Sequence, residues 1–362
     1  MKLHEWVSRA GSAGLLLAGG AAAAQAVAGR VLDGANAQPV GRGFVILLDA
    51  QGTEVERVLT TGDGRFTLHA RAPGAHRIRS ERIGYERVTT EPVTLAAGQV
   101  TALDIQVRPL GVDLAAIQVR GRGSCRAQLE LTPAAVAVWG EALKALTAAA
   151  WTAGQPSLRY RIVRYRQELD ARRRAVAREV ADTHTGAWQP PFRGRSAALL
   201  AAEGYVLSET DSTVYYGPDA TVIQDSAFVA THCFSLMRGS AADEQRIGLA
   251  FEPVNERRLA DVRGVLWLDV RTGELRALEF TYTRVPGLQG SSPANGNVEF
   301  LRLPSGAWIV RRWVIRMPEL EMVQGQDAMG YPTRTVNTIG FWDIGGEILE
   351  VRAADGSVIY PE

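Results

Sequence analysis

Thr60-Thr61-Gly62-Asp63-Gly64-Arg65-Phe66-Thr67-Leu68 is the stretch from which the first third of the chain can be read. Gly62-Asp63-Gly64 is turn chemistry, and Phe66 and Leu68 alternate with polar neighbours as one face of a strand. Upstream, Glu54 to Thr60 forms the preceding strand, Asp49-Ala50-Gln51-Gly52 turns the chain, and Phe44, Ile46 and Leu48 share a strand face. Downstream, Pro73-Gly74 is another turn, and Leu103, Ile105 and Val107 close the set. Short strands at regular spacing with turn residues between them predict a small antiparallel sandwich of six or seven strands.

The same residues, with Gly29-Arg30-Val31-Leu32-Asp33, Gln38-Pro39-Val40, Val45 to Asp49 and Arg82-Ile83-Gly84-Tyr85, resemble a carboxypeptidase regulatory-like domain across residues 27–108. The resemblance implies a transthyretin-like seven-stranded fold. It implies no single function, because such domains accompany carboxypeptidases, outer-membrane receptors and starch-binding proteins. A zinc carboxypeptidase needs an H-x-x-E pair and a third histidine, leaving one zinc position open for water. The five histidines are His4, His69, His76, His184 and His232, and three residues beyond them stand Val7, Ala72, Arg79, Ala187 and Ser235. No carboxypeptidase zinc set is encoded, and no G-x-S-x-G elbow or phosphate-binding glycine loop is present. Asp63 between two glycines reads as a turn residue rather than a calcium ligand.

With 40 Lys+Arg against 39 Asp+Glu, the chain carries no net field to hold nucleic acid. The basic residues are nearly all arginine, Lys2 and Lys144 being the lysines, so Schiff-base and P-loop lysine chemistry have little to use. A weakly cationic start, an apolar stretch from Ala10 to Ala24 and the small-x-small pattern Ala24-Gln25-Ala26 predict a signal peptide over residues 1–26. The mature protein is then expected in the periplasm or at the outer-membrane surface, with no transmembrane helix after cleavage. In that compartment Cys125 and Cys233 are expected to form a disulfide closing a long loop.

Residues 109–124 read as a linker, in which Leu114 to Gly121 resembles the strand that precedes the plug of TonB-dependent receptors. About 240 residues remain, too few for the plug and barrel of such a receptor. Residues 125–362 are expected to form a β-rich domain. Thr132-Pro133 opens a helix over 132–150 with Val136, Trp139, Leu143 and Leu146 on its apolar stripe, and a second helix runs from Ser196 to Glu203 before Gly204. Ten strands are expected: Leu158–Leu169, Arg174–Ala181, Phe228–Leu236, Arg246–Phe251, Val262–Val270, Leu275–Thr283, Val298–Leu303, Trp308–Met317, Thr333–Asp343 and Glu347–Val351. The hairpin Val265–Tyr282 resembles the curved-sheet repeat of LolA-type lipoprotein carriers. The expected fold is therefore mainly β: a seven-stranded β-sandwich followed by a larger α+β domain with a curved antiparallel sheet and one or two helices. An outer-membrane barrel is disfavoured, since Arg311 interrupts the face shared by Ile309, Trp313, Ile315 and Met317.

Two sets of side chains are candidate binding residues. Trp267, Phe280, Tyr282, Trp308 and Trp313, with Trp342, would line an apolar cavity inside a curved sheet or pack as plain core. Arg159, Arg161, Arg172 and Arg174 belong to an arginine-rich stretch that would face an anion or form the solvent side of two strands. Tyr215-Tyr216 would be an exposed stacking platform or a strand end, and Asp261, Asp269 and Glu279 are the carboxylates considered as an acid–base pair. No catalytic residue, metal or cofactor is assigned. The expected role is a non-enzymatic exported binding or interaction protein, with a lipid or lipoprotein carrier and a carbohydrate-binding protein as alternatives. Its partners are envelope proteins, lipid or glycan, and not nucleic acid.

Overall fold

A computed structural model describes residues 25–110, 133–187, 194–208, 213–239, 244–285, 294–326, 329 and 331–361. The architecture is mainly β, with an amino-terminal sandwich and a larger sheet accompanied by a few helices. The sandwich comprises β1 (Gln25–Asp33), β2 (Phe44–Leu48), β3 (Glu54–Leu59), β4 (Arg65–Ala70), β5 (Gly74–Glu81), β6 (Val88–Thr89), β7 (Val93–Leu95), β8 (Val100–Ala102) and β9 (Ile105–Val107). β6 and β7 both pair with β5, and β8 and β9 both pair with β1, so each couple is one interrupted strand. Gly29 marks the interruption opposite Leu103, where an added Cβ would lie 1.8 Å from the Leu103 carbonyl oxygen. The turn at Gly62-Asp63-Gly64 closes as read: Thr61 Oγ1 donates to Asp63 at 2.6 Å, Arg65 Nε donates to it at 2.7 Å, and Gly64 has φ +78°. The Thr61 hydroxyl, with help from Arg65, holds the Asp63 carboxyl below the usual range.

β2 is buried on both faces. Val45 and Leu47 point into the sandwich core with Phe66, Leu68 and Ile78, whereas Phe44, Ile46 and Leu48 belong to the core of the larger sheet. The uninterrupted run Phe44-Val45-Ile46-Leu47-Leu48 is the sequence signature of a strand covered on both sides.

The large sheet contains β10 (Arg159–Asp170), β11 (Ala175–Gly186), β14 (His232–Arg238), β15 (Arg246–Pro253), β16 (Asp261–Asp269), β17 (Leu275–Thr283), β18 (Asn295–Arg302), β19 (Trp308–Gln326), β20 (Pro332–Arg352) and β21 (Val358–Tyr360). Its order is β11-β10-β20-β19-β18-β17-β16-β15-β14, with β21 on β20. β11 and β14 stand at opposite ends of this order, so the sheet is open rather than a closed barrel. A small hairpin, β12 (Val206–Ser208) with β13 (Thr213–Tyr215), lies apart. The helices are α1 (Pro133–Ala153), α2 (Ala197–Glu203) and the short α3 (Ala220–Ile223) and α4 (Ser226–Thr231). α2 starts and stops where the sequence indicates: Ser196 caps Leu199, and Gly204, at φ +92°, returns its N–H to the Leu200 carbonyl.

Several expectations change. Phe228 lies in α4 rather than in a strand, because Asp225 caps a helical turn ahead of β14. The segments expected at 333–343 and 347–351 are one strand, β20. Gly345 and Gly346, between them, lie against Tyr165 and the Trp313 indole, where a Cβ would clash. Arg311 sits where the β18–β19 register shifts, and its guanidinium leaves the apolar row to pair with Glu299 at 2.6 Å. In α1 the buried stripe is Ala135, Val138, Ala142, Ala145, Leu146 and Ala149, while Val136 is 51 % exposed. Alanines let the helix lie close on the sheet, which turns the larger Val136 outward.

The expected Cys125–Cys233 staple is also corrected. Cys125 lies outside the described residues, and no disulfide joins two described residues. Cys233 is not a free thiol. β14 itself is held by a ladder to β15 running from His232↔Pro253 to Arg238↔Ile247.

Sandwich and sheet meet around α1. Glu141 accepts from the Gly84 N–H at 2.7 Å, and Lys144 Nζ donates to the carbonyls of Arg82 (3.0 Å) and Tyr85 (2.6 Å) and to Glu141 (2.6 Å). Both charged side chains are buried. Gly273, in the β16–β17 turn, lies against Ile83 and Glu141, and Arg302 reaches the Arg42 carbonyl at 3.3 Å.

Candidate functional site

The inner face of the sheet carries Leu249, Leu266, Leu278, Val298 and Trp313 in one row across the strands. α1 packs over this face along β14–β17 and β19. Its last two turns are Ala148-Ala149-Ala150-Trp151-Thr152-Ala153, small enough to leave space where a leucine-rich helix would fill it. Between Ala149 and Ala153 on the helix and Leu278, Phe300 and Trp308 on the sheet lies a cavity of about 370 Å³. Tyr160 closes one side, and Pro218 to Thr221 form another. Burial raises the Tyr160 phenol well above its usual range, so it remains neutral. The Trp308 backbone N–H donates to Thr152 Oγ1 at 3.2 Å, tying β19 to the end of α1, and Asp219 Oδ1 caps α3 by accepting from the N–H groups of Thr221 and Val222. The wall is thus apolar, built on regular elements, and free of ionised groups except at Asp219.

The five candidate aromatics separate. Trp308 lines the cavity. Phe280 is buried over Gly296, Trp313 is buried over Gly346, and Tyr282 is buried with its hydroxyl donating to the Tyr216 carbonyl at 3.1 Å. Trp267 stands opposite Gly248 and Ala277 on the other, solvent-facing side of the sheet. Leu278, Val298, Phe300 and Val310 complete the cavity wall, Val310 standing opposite Phe300; alternation in β17 and β18 marks Leu278, Val298 and Phe300 as inward-facing without showing which inward positions stay uncovered. Tyr215 is half-buried, edge-on to Tyr282 at 5.2 Å, and burial pushes its phenol up to about 12; with Tyr216 buried, the pair is no exposed platform.

Arg159, Arg161, Arg172 and Arg174 are exposed on β10 and the β10–β11 turn. Arg174 is paired with Asp170 at 2.6 Å, and Arg159 donates to the Pro156 and Leu158 carbonyls. Their neighbours stack on rings: Arg166 lies 3.8 Å from the Trp342 centroid, Arg178 4.2 Å from Tyr165 and Arg173 5.4 Å from Phe341.

The three carboxylates do not converge. Asp269 accepts from turn N–H groups, Glu279 is exposed on the outer face, and Asp261 is buried between Arg257 and His232. His232 Nε2 lies 3.2 Å from Asp261 and its Nδ1 3.0 Å from the Phe228 carbonyl; Arg257 also donates to the carbonyls of Leu200 and Ala201. This cluster ties α2, α4 and β16 together with its polar atoms turned on one another. Among the described residues no group of three or more His, Cys, Asp or Glu is placed to hold a metal ion, and no helix is long and apolar enough to cross a membrane.

No curated protein matches the chain. Among solved structures, a putative carbohydrate binding protein from Bacteroides uniformis aligns at 12% identity over 67% of this chain and 98% of its own, with a TM-score of 0.21. A 9R-lipoxygenase from Cyanothece aligns at 12% identity over 75% of this chain and 41% of its own, with a TM-score of 0.18. Likenesses this loose leave the function to the chain's own residues, and they lend no support to the LolA-type resemblance of the second half. Residues 26–108 match the family model described as the carboxypeptidase regulatory-like domain, the family that the opening strands resemble.

Proposed function

We propose that the protein is an exported, non-enzymatic binding protein that holds an acyl chain, free or on a lipid or lipopeptide, in the cavity between α1 and the inner face of the sheet. The observation that carries this reading is the cavity itself: about 370 Å³ of apolar space that the surrounding side chains do not fill. Apolar cavities of this kind take apolar ligands, because water finds no hydrogen-bond partners there. A carbohydrate site on the sandwich is less favoured, since Phe44 and Phe66 are buried and Tyr85 lies beneath the Arg82 guanidinium at 4.7 Å.

Export rests on the signal-like start. Gln25 and Ala26 are buried in β1, and Gln25 Nε2 donates to the Ala70 carbonyl at 2.6 Å. A cut that spares this strand falls after Ala24, where Ala22-Ala23-Ala24 offers the same small-x-small pattern; intact-mass analysis of the secreted chain identifies the first residue.

The function is tested by native mass spectrometry of protein purified from its own envelope, with organic extraction of bound material, and by titration of the apo protein with a fluorescent C16 acyl probe. Saturable 1:1 uptake that falls at least tenfold in Ala149→Phe supports the reading. A clean apo mass together with no probe uptake overturns it.

A further inference from the structure

We propose that the outer face of the large sheet is a second, polar binding site, and that its ligand is a neutral oligosaccharide. The site does not depend on the acyl cavity: Glu279 follows Leu278 on β17 and Asn297 precedes Val298 on β18, so successive side chains serve opposite faces.

The register of the sheet builds the site. Ser235, Ala250, Val265, Glu279 and Asn297 stand side by side on β14, β15, β16, β17 and β18. Three of these five are small or short, so they form a floor. Arg263, Thr281 and Asn295 form the adjacent row on β16, β17 and β18, with Glu252 beyond them on β15. Together they line a trough of about 540 Å³ running across the strands. On the far side of the floor Trp267 occupies the next row, opposite Gly248 and Ala277.

The chemistry selects the ligand. Two amides, two hydroxyls, two carboxylates and one guanidinium give donors and acceptors that recur about every 4.8 Å, the spacing between strands. That repeat suits a chain of hydroxyl-bearing rings, and the neighbouring indole offers an apolar surface for a ring face. Polar walls do not suit a lipid. An extended peptide docks by pairing its backbone with a free strand edge, whereas most of this trough crosses β15, β16, β17 and β18, each already paired on both sides, and only its Ser235 end reaches the edge strand β14. With two carboxylates against one guanidinium, an anionic chain is disfavoured.

The test is isothermal titration calorimetry of the mature protein with maltohexaose, cellohexaose and hexa-N-acetylchitohexaose, and with hexagalacturonate as the anionic counterpart. Saturable 1:1 binding of a neutral hexasaccharide is expected, reduced at least tenfold by Asn297→Ala and by Glu279→Gln. Glu279 is exposed, so its replacement leaves the fold intact. The Ala149→Phe variant is expected to bind sugar as the wild type does, which separates this site from the acyl cavity. Absence of binding to all three neutral chains, binding unchanged in both variants, or preference for hexagalacturonate overturns the proposal.

Discussion

The large sheet is covered in two different ways along its length. Over β14–β17 and the start of β19 its inner face lies beneath α1, an alanine-rich helix anchored to the sandwich by Glu141 and Lys144. Beyond Tyr165 on β10 and Ile344 on β20, arginines are laid on its aromatic rings, and apolar side chains such as Met322, 72 % exposed, Ile339 and Ile344 stay in solvent. A helix can close a cavity, whereas guanidinium groups cover rings one at a time. The cavity lies at the helical end for that reason.

The comparison is broken most directly by releasing the helix. Lys144→Met leaves Glu141 buried without its cation, and unfolding in urea is expected to show a loss of about 3–5 kcal/mol. The double variant Glu141→Leu with Lys144→Met removes both charges and is expected to recover most of that loss. A single variant as stable as wild type would show that the helix is held by its alanines alone. Next in size is Gly296→Val, whose side chain would enter the Phe280 ring, since a Cβ there lies 2.2 Å from it; overpacking of this kind costs about 1–3 kcal/mol. At the arginine-covered end, Arg166→Ala removes one stacking contact and is expected to cost about 0.5–2 kcal/mol. A larger loss there than in Lys144→Met would reverse the ranking of the two ends.

Much of this was legible in the sequence, and the part that was not has a physical cause. Gly62-Asp63-Gly64 and the alternation around it specify the sandwich, because turn chemistry and strand period are local properties. The run Phe44 to Leu48 carried a further message, burial on both faces, but a sequence does not name the second partner. In α1 the period was clear and the facing residues were not: Val136 looked like core, whereas Glu141 and Lys144 took buried positions because loop 82–85 supplied a donor and two acceptors. Among the candidate aromatics only Trp308 reaches the cavity. Glycines at 296 and 346 provide the slots into which Phe280 and Trp313 sink, and that pairing depends on cross-strand register, which a single strand's residues do not reveal. The arginines were visible as a cluster, while the rings beneath them, Trp342 and Phe341, lie far along the chain.

The smallest effect concerns the turn that meets the anchored end. Asp269 accepts from the N–H groups of Arg271 and Thr272, both at 3.0 Å, and faces Arg276 at 3.4 Å. Partial burial works to raise its carboxyl, but those turn N–H groups and the guanidinium outweigh it, and its pKa is lowered. A group whose folded pKa lies below its unfolded value, about 3.9 for aspartate, stabilises the fold above that value and loses the contribution as pH falls through the folded one. Asp269→Asn is therefore expected to melt below wild type at pH 6 and to converge with it as the pH falls through the lowered folded-state pKa of Asp269. The turn presses Gly273 against Ile83 and Glu141, so the same series reports on how firmly sandwich, helix and sheet are joined. If the gap between variant and wild type is constant from pH 6 to the acid limit, the charge contributes nothing and the turn is held by backbone geometry, with Gly273 at φ +70° as its pivot.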